Sequence, residues 1–143
     1  NPRLEISTVG DEEVSDSSLV YLNLSANDNT GVTGYFASES PETPSILAAG
    51  WNVVNAEKFY SGTHGFNLSS ANEAGNHSRT LYVWFRDAYA NVSSVVQDSV
   101  TFRVQDTLAP CDGSVIINGG GESTESTAVA LEISARDDVQ ITG

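Results

Sequence analysis

Oxygen donors make up most of the residues in this chain that could do chemistry. Asp28 sits between Asn27 and Asn29, and Asp87 lies four residues before Asn91. Asp106 opens an Asp-Thr-Leu-Ala-Pro segment, and Asp137 is followed by Asp138. Calcium takes roughly six to eight hard oxygens from carboxylates, amides and backbone carbonyls. The expected metal ligands are therefore Asp28, Asp87, Asn91, Asp106 and Asp137, with Ca2+ as the ion. The same residue types also form turns by bonding their own backbone, and no full calcium-loop motif is present.

A second set is aromatic. Tyr82, Trp84 and Arg86 alternate with Leu81, Val83 and Phe85, so on a strand they project to the opposite face. Exposed there, Trp84, Tyr82 and Trp51 could stack on sugar rings; the competing expectation is that they pack under a loop beside Trp51. For catalysis the chain offers little. His64 and His77 both lie in polar, turn-like contexts, and neither a Gly-x-Ser-x-Gly elbow nor a His-Glu-x-x-His stretch occurs. Two surface histidines and no enzyme are expected. The lone Cys111 rules out an internal disulfide, a zinc ribbon or a thiol redox pair.

Charge narrows the partners. Nineteen acidic against six basic residues give a net charge of −13, and phosphate binding needs a basic face, so no nucleic acid is expected. No run approaches the ~20 apolar residues of a membrane helix, so no membrane insertion is expected. The acidic run Asp11-Glu12-Glu13 with Asp16 reads as a solvated turn. Sequons at Asn23, Asn67, Asn76 and Asn91 are of the number chance supplies in an Asn- and Ser-rich chain. With no methionine anywhere, a processed product or an internal piece of a longer protein is expected.

The elements that must position these residues are strands. Val20, Leu22, Leu24 and Ala26 alternate within Leu19–Ala26, as do Leu81, Val83 and Phe85 within Arg79–Asp87, and Val100, Phe102 and Val104 within Asp98–Gln105. Gly34–Ser38 follows an Asn29-Thr30-Gly31 turn signal. Leu4–Ser7, Trp51–Val54 and Gly65–Leu68 are shorter candidates. About seven strands separated by polar turns predict an all-β, antiparallel two-sheet sandwich.

The strongest sequence feature is an internal repeat. Leu22 to Gly34 returns as Leu131 to Gly143, at an offset of 109 residues with no gap over thirteen positions, both copies reading L-x-[LI]-S-A-x-D-x-x-x-[VI]-T-G. Val20 likewise matches Val129. The period equals one sandwich, so 1–106 is expected to be a complete repeat and 107–143 a linker plus the opening strands of a second, incomplete one. Two strands are too few to bury their own apolar face. They need the remainder of a repeat or strands from another chain.

Together, Leu24 to Tyr35, Thr43-Pro44, Gly50-Trp51, Leu81 to Ser94 and Asp106 to Pro110 resemble bacterial immunoglobulin-like tandem repeats of large secreted and cell-surface proteins, adhesins among them. The resemblance covers 1–106 and the start of the next repeat. It implies an immunoglobulin-like β-sandwich, an extracellular or bacterial cell-surface location, and head-to-tail neighbours of the same kind. It also implies calcium at the junctions, with Asp28, Asp87 and Asn91 at one end and linker Asp106 near Asp137 at the next. The function expected is a non-catalytic structural repeat of a stalk, adhesin or fibre. The alternative is an adhesin or carbohydrate-binding module that meets a surface glycan or host protein through exposed aromatics. Two positions depart from the family pattern. Cys111 replaces a small residue after Ala-Pro, and Asp87-Ala88-Tyr89-Ala90-Asn91 stands where D-x-A-G-N is usual.

Overall fold

The structure, a computed structural model, describes residues 1–9 and 14–137. It is all-β, with eight strands among the described residues: β1 (Arg3–Thr8), β2 (Val14–Ser15), β3 (Leu19–Ser38), β4 (Asn52–Asn67), β5 (Gly75–Asp87), β6 (Val96–Val104), β7 (Cys111–Ile117) and β8 (Leu131–Arg136). The chain divides into two compact units. One comprises Asn1–Asn72 and Asn76–Val104; the other begins at Gln105 and takes in Glu73–Gly75.

The first unit is one six-stranded mixed sheet in the order β1-β3-β5-β6-β2, with β4 on β3. Its organiser is β3. Over Val20–Ser25 it pairs antiparallel with β1, and over Leu19–Asn27 with β4 on its other edge. Beyond residue 31 the first edge changes partner, and Val32–Ser38 pairs with Asp87–Tyr82 of β5. The sheet curls towards closure: the Ile6 N–H of β1 donates to Asp98 of β6 at 2.8 Å. Beyond β6, β2 lies parallel to Thr101–Phe102, and Arg103 grips Asp16 with two 2.6 Å bonds.

The sequence predicts a turn at Asn29-Thr30-Gly31 and two separate strands around it. Instead β3 runs through, and the irregularity appears as two register shifts, one between Asn27 and Val32 and one between Val32 and Gly34. Gly31 sits at φ +109°, a conformation glycine adopts without steric penalty. The second shift reverses the parity of the strand. Before it, Val20, Leu22, Leu24, Ala26 and Val32 face the core; after it, Tyr35 and Ala37 do, and Phe36 turns outward to pair with Trp84. In the same way the predicted strands Trp51–Val54 and Gly65–Leu68 are the two ends of β4. The expected antiparallel pattern is also modified by the parallel β2–β6 pair.

Leu81, Val83, Phe85, Val100 and Phe102 from β5 and β6 complete this core. The outer face of β1-β3-β4 is polar: Asn23 donates to Ser7 on one side and accepts from Thr63 on the other.

In the second unit β7 and β8 pair antiparallel as Ile117↔Leu131, Ile116↔Glu132, Val115↔Ile133 and Ser114↔Ser134. All residues from Gln105 to Arg136 are exposed. Leu22 is 1% exposed, whereas its repeat equivalent Leu131 is 54% exposed. Truncation should therefore separate the two copies. Leu22→Ala should cost about 2–5 kcal/mol in urea unfolding, while Leu131→Ala should stay within about 0.5 kcal/mol of the parent. Equal losses at both positions would show that Leu131 is buried in solution.

Candidate functional site

Three of the five expected metal ligands meet at one pole of the first unit. Asp28 lies in the irregular stretch of β3, and its Oδ1 accepts from the Thr30 N–H at 2.8 Å, the Thr30 hydroxyl at 2.6 Å and the Gly31 N–H at 2.9 Å. Asp87 ends β5, where the chain turns through residues 88–92. Its Oδ1 accepts from the Tyr89 and Asn91 N–H groups, both at 2.9 Å, and its Oδ2 from the Asn91 side-chain amide at 2.7 Å. The Thr30 hydroxyl also lies 3.4 Å from Asp87 Oδ2, linking the two loops. A cavity of about 240 Å³ opens beside them, lined by Ala26, Val32 and Phe85 together with Asp28, Asp87 and Asn91.

These contacts set the charge at the pole. The Thr30 hydroxyl holds the Asp28 carboxyl below its ordinary value, against an opposing push from the Asp87 charge. The Asn91 side-chain amide does the same for Asp87. Both are ionised at neutral pH, and both serve first as caps of their own turns. Among the described residues no three His, Cys, Asp or Glu side chains gather as a metal set. The other two candidates lie in the second unit: Asp106 accepts from the Leu108 N–H at 2.9 Å, and Asp137 follows β8. Asp138 lies outside the described residues, as do Asp11, Glu12 and Glu13.

The turn after Asp87 holds a strained residue. Ala90 sits at φ +67°, left-handed backbone that glycine adopts freely and that costs a residue with a Cβ. The Asp87 bonds and the Ser93 N–H, which donates to the Phe85 carbonyl at 2.9 Å, hold the turn shut despite the strain.

Of the two expectations for the aromatic strip, the structure shows the packed one for Trp84 and Trp51. Trp84 is 1% and Trp51 9% exposed, so neither presents a flat ring to a ligand. Trp51 lies edge-on to Phe36 with centroids 5.7 Å apart, and Phe36 lies edge-on to Trp84 at 6.2 Å. The Arg86 guanidinium lies over the Trp51 ring at 4.8 Å and donates to the Ile46 carbonyl. Tyr82 stacks beside Trp84. The loop from residue 39 to 51 thus roofs the outer face of β5, pinned by the Trp51 indole N–H on the Ser45 carbonyl at 2.9 Å. The physical reason is area: two indoles and a phenyl lose too much free energy if left in water.

One correction concerns His64, expected at the surface. It lies on the inward face of β4 opposite Leu22, its ring 4.6 Å from Tyr35 and its Nε2 2.5 Å from the Tyr60 hydroxyl. Gly62 makes that bond possible, since a Cβ there would come within 2.9 Å of both partner atoms. Tyr60-x-Gly62-x-His64 shares the period-two spacing of a strand, the one signal that could have exposed it. The partner is a phenol and not a carboxylate, so the arrangement is a packed core pair with no nucleophile activated. Burial lowers the His64 pKa, and burial first, then the Tyr35 and Glu57 charges, pushes Tyr60 up to about 12. Cys111 is an exposed free thiol at the start of β7. Compared with protein family profiles, curated proteins and solved structures, the chain finds no match.

Two outcomes are expected. Ala90→Gly should relieve the left-handed strain and stabilise the first unit by about 1 kcal/mol in chemical denaturation; a loss of stability would show that the turn relaxes around Ala90. Because the folded His64 pKa lies below its unfolded value, the unfolded chain takes up more protons in acid. Stability should be level above about pH 6.5, the unfolded histidine value, and fall as pH drops through the folded value. His64→Gln should flatten that slope, and an unchanged slope would assign it to other groups.

Proposed function

We propose that this chain is a non-catalytic structural repeat of an extracellular bacterial stalk, adhesin or fibre, built on an immunoglobulin-like sandwich and set head-to-tail with repeats of its own kind. Residues 1–106 form the complete repeat, and 107–143 open the next. The observation that carries the reading is that the equivalent strands of the sequence repeat each take the preceding strand as an antiparallel partner with apolar residues paired across the ladder. Leu24 and Leu22 pair with Leu4 and Ile6, while Ile133 and Leu131, 109 residues on, pair with Val115 and Ile117, a partner register two residues further along.

The sandwich assignment is supported by the way β3 and β4 each run from one layer into the other. One layer consists of β1, the first half of β3 and the second half of β4. The other consists of the second half of β3 with β5, β6 and β2. Stacking of such units is quasi-one-dimensional, each touching only its neighbours. The parallel β2–β6 pair suits a load-bearing role. Tension entering ahead of β2 and leaving after β6 pulls these strands along their length, so their hydrogen bonds share the force and do not open one at a time. In the first unit Trp84 and Trp51 are packed away, and the self-capped acidic pole faces outward together with scattered exposed residues such as Leu47, Phe59 and Tyr89.

Calcium enters this proposal at that pole, where an ion would relieve the repulsion between Asp28 and Asp87. The two carboxylates supply only part of a calcium shell, and backbone and amide oxygens of 27–31 and 87–91 would supply the rest. One experiment addresses both points. Stretched between its ends, the 143-residue chain should release a single step of roughly 33 nm, the length stored in the first unit, with a higher unfolding force in calcium than in EDTA. Equal force in both assigns the carboxylates to turn capping alone. Turnover of a polysaccharide or peptide by the same chain would defeat the structural reading.

A further inference from the structure

The apolar face of β7–β8 is open, and the first unit displays what covers its counterpart. Val115, Ile117, Leu131 and Ile133 share one side of the hairpin at 51–75% exposure, Ile133 being the most exposed. The opposite side is mixed, with the Ser114 and Ser134 hydroxyls 2.7 Å apart and Ile116 beside Glu132. The apolar side matches that of β1 and β3, where Leu4, Ile6, Leu22 and Leu24 face inward while Glu5, Ser7 and Asn23 face out. In the first unit that inward face is sealed by Leu81, Val83 and Phe85 of β5 and by Val100 and Phe102 of β6.

We propose that the β7–β8 face is a docking surface for one occupant: a strand pair carrying the inward apolar rows of β5 and β6, the closing half of a repeat of this chain's own kind. The inference deepens the tandem-repeat reading and rests on it. A second copy of the chain is a poorer fit on two counts. Its own β5 and β6 already cover its own β3, with Leu81 and Val83 fully buried. Two hairpins packed face to face would each offer only about 20 Å by 10 Å of surface, well below the ~1,200 Å² that stable interfaces bury.

The repeat register designs the test. Gly34 and Gly143 are equivalent, so the sequence of residues 35–106 is appended directly after Gly143, and hydrogen exchange is followed in the parent and in the extended chain. In the parent, amides of 111–117 and 131–136 should exchange rapidly at micromolar concentration. In the extended chain they should slow on the order of a hundredfold or more, with a second thermal transition. Ile133→Asp should abolish that protection without altering exchange in 19–38. In the parent, the open face should also enhance the fluorescence of an apolar dye, and Ile133→Asp should remove the enhancement.

Hairpin amides that stay fast in the extended chain overturn the proposal, as does a parent without dye binding. Protection already present in a monomeric parent would mean the face is covered from within, and protection that rises with concentration would give the face to a second copy. Either result also overturns it. Exchange in 19–38 and 75–87 reports on the first unit separately, so these failures are distinct from a failure of the structural reading, which substrate turnover would reveal.

Discussion

The first unit depends on a change of parity inside a single strand. β3 spans Leu19–Ser38, and it can line the core along both its β1-paired and its β5-paired halves only because its facing reverses near Val32. Without the shift between Val32 and Gly34, Tyr35 and Ala37 would point outward and Phe36 would enter the core. The partner exchange on its edge, from β1 to β5, accompanies the same irregular stretch, because β1 pairs only as far as Ser25 and β5 begins to pair at Val32. Bulges raise local twist, and here the twist carries the sheet round until β1 can bond Asp98 of β6.

The acidic pole is a by-product of that stretch. An irregular strand leaves N–H groups without ladder partners, and Asp28 takes up those of Thr30 and Gly31. Asp87 does likewise for the turn that follows β5. Short carboxylates are effective local acceptors for such N–H groups. Several of the acidic residues have such structural uses: Asp28 and Asp87 close turns, and Asp16 clamps β2 to β6 through Arg103.

How much of this was legible in the sequence depends on what each residue type signals locally. Alternation at 19–26, 79–87 and 98–105 located the central strands because one side of each is buried. The middles of β3 and β4 were not legible, because Asn, Asp, Thr and Gly read as turn formers whether they end a strand or bulge it. The inward step of Tyr60, Gly62 and His64 was hidden for the same reason, since its residues are not aliphatic. The acidic pole was visible by type, as Asp28, Asp87 and Asn91, yet its use as turn caps required the geometry. For the aromatics, alternation placed Tyr82 and Trp84 on the outer side and their size argued for cover near Trp51, but which residues fold over them, 39–51, was not in their spacing.

The polar ladder on the outer face of β1-β3-β4 bears on covalent modification. Asn23 begins an Asn-Leu-Ser sequon, and its amide is held between Ser7 and Thr63. A glycan on that nitrogen would break the side-chain ladder, so the folded chain holds this acceptor. The Asn91 amide is likewise held, on Asp87 Oδ2 at 2.7 Å, whereas Asn67 and Asn76 are exposed. A glycosylating enzyme meeting the finished domain would therefore find two acceptors on offer, and would meet the other two free only on a chain that had not yet formed the ladder and the turn after β5.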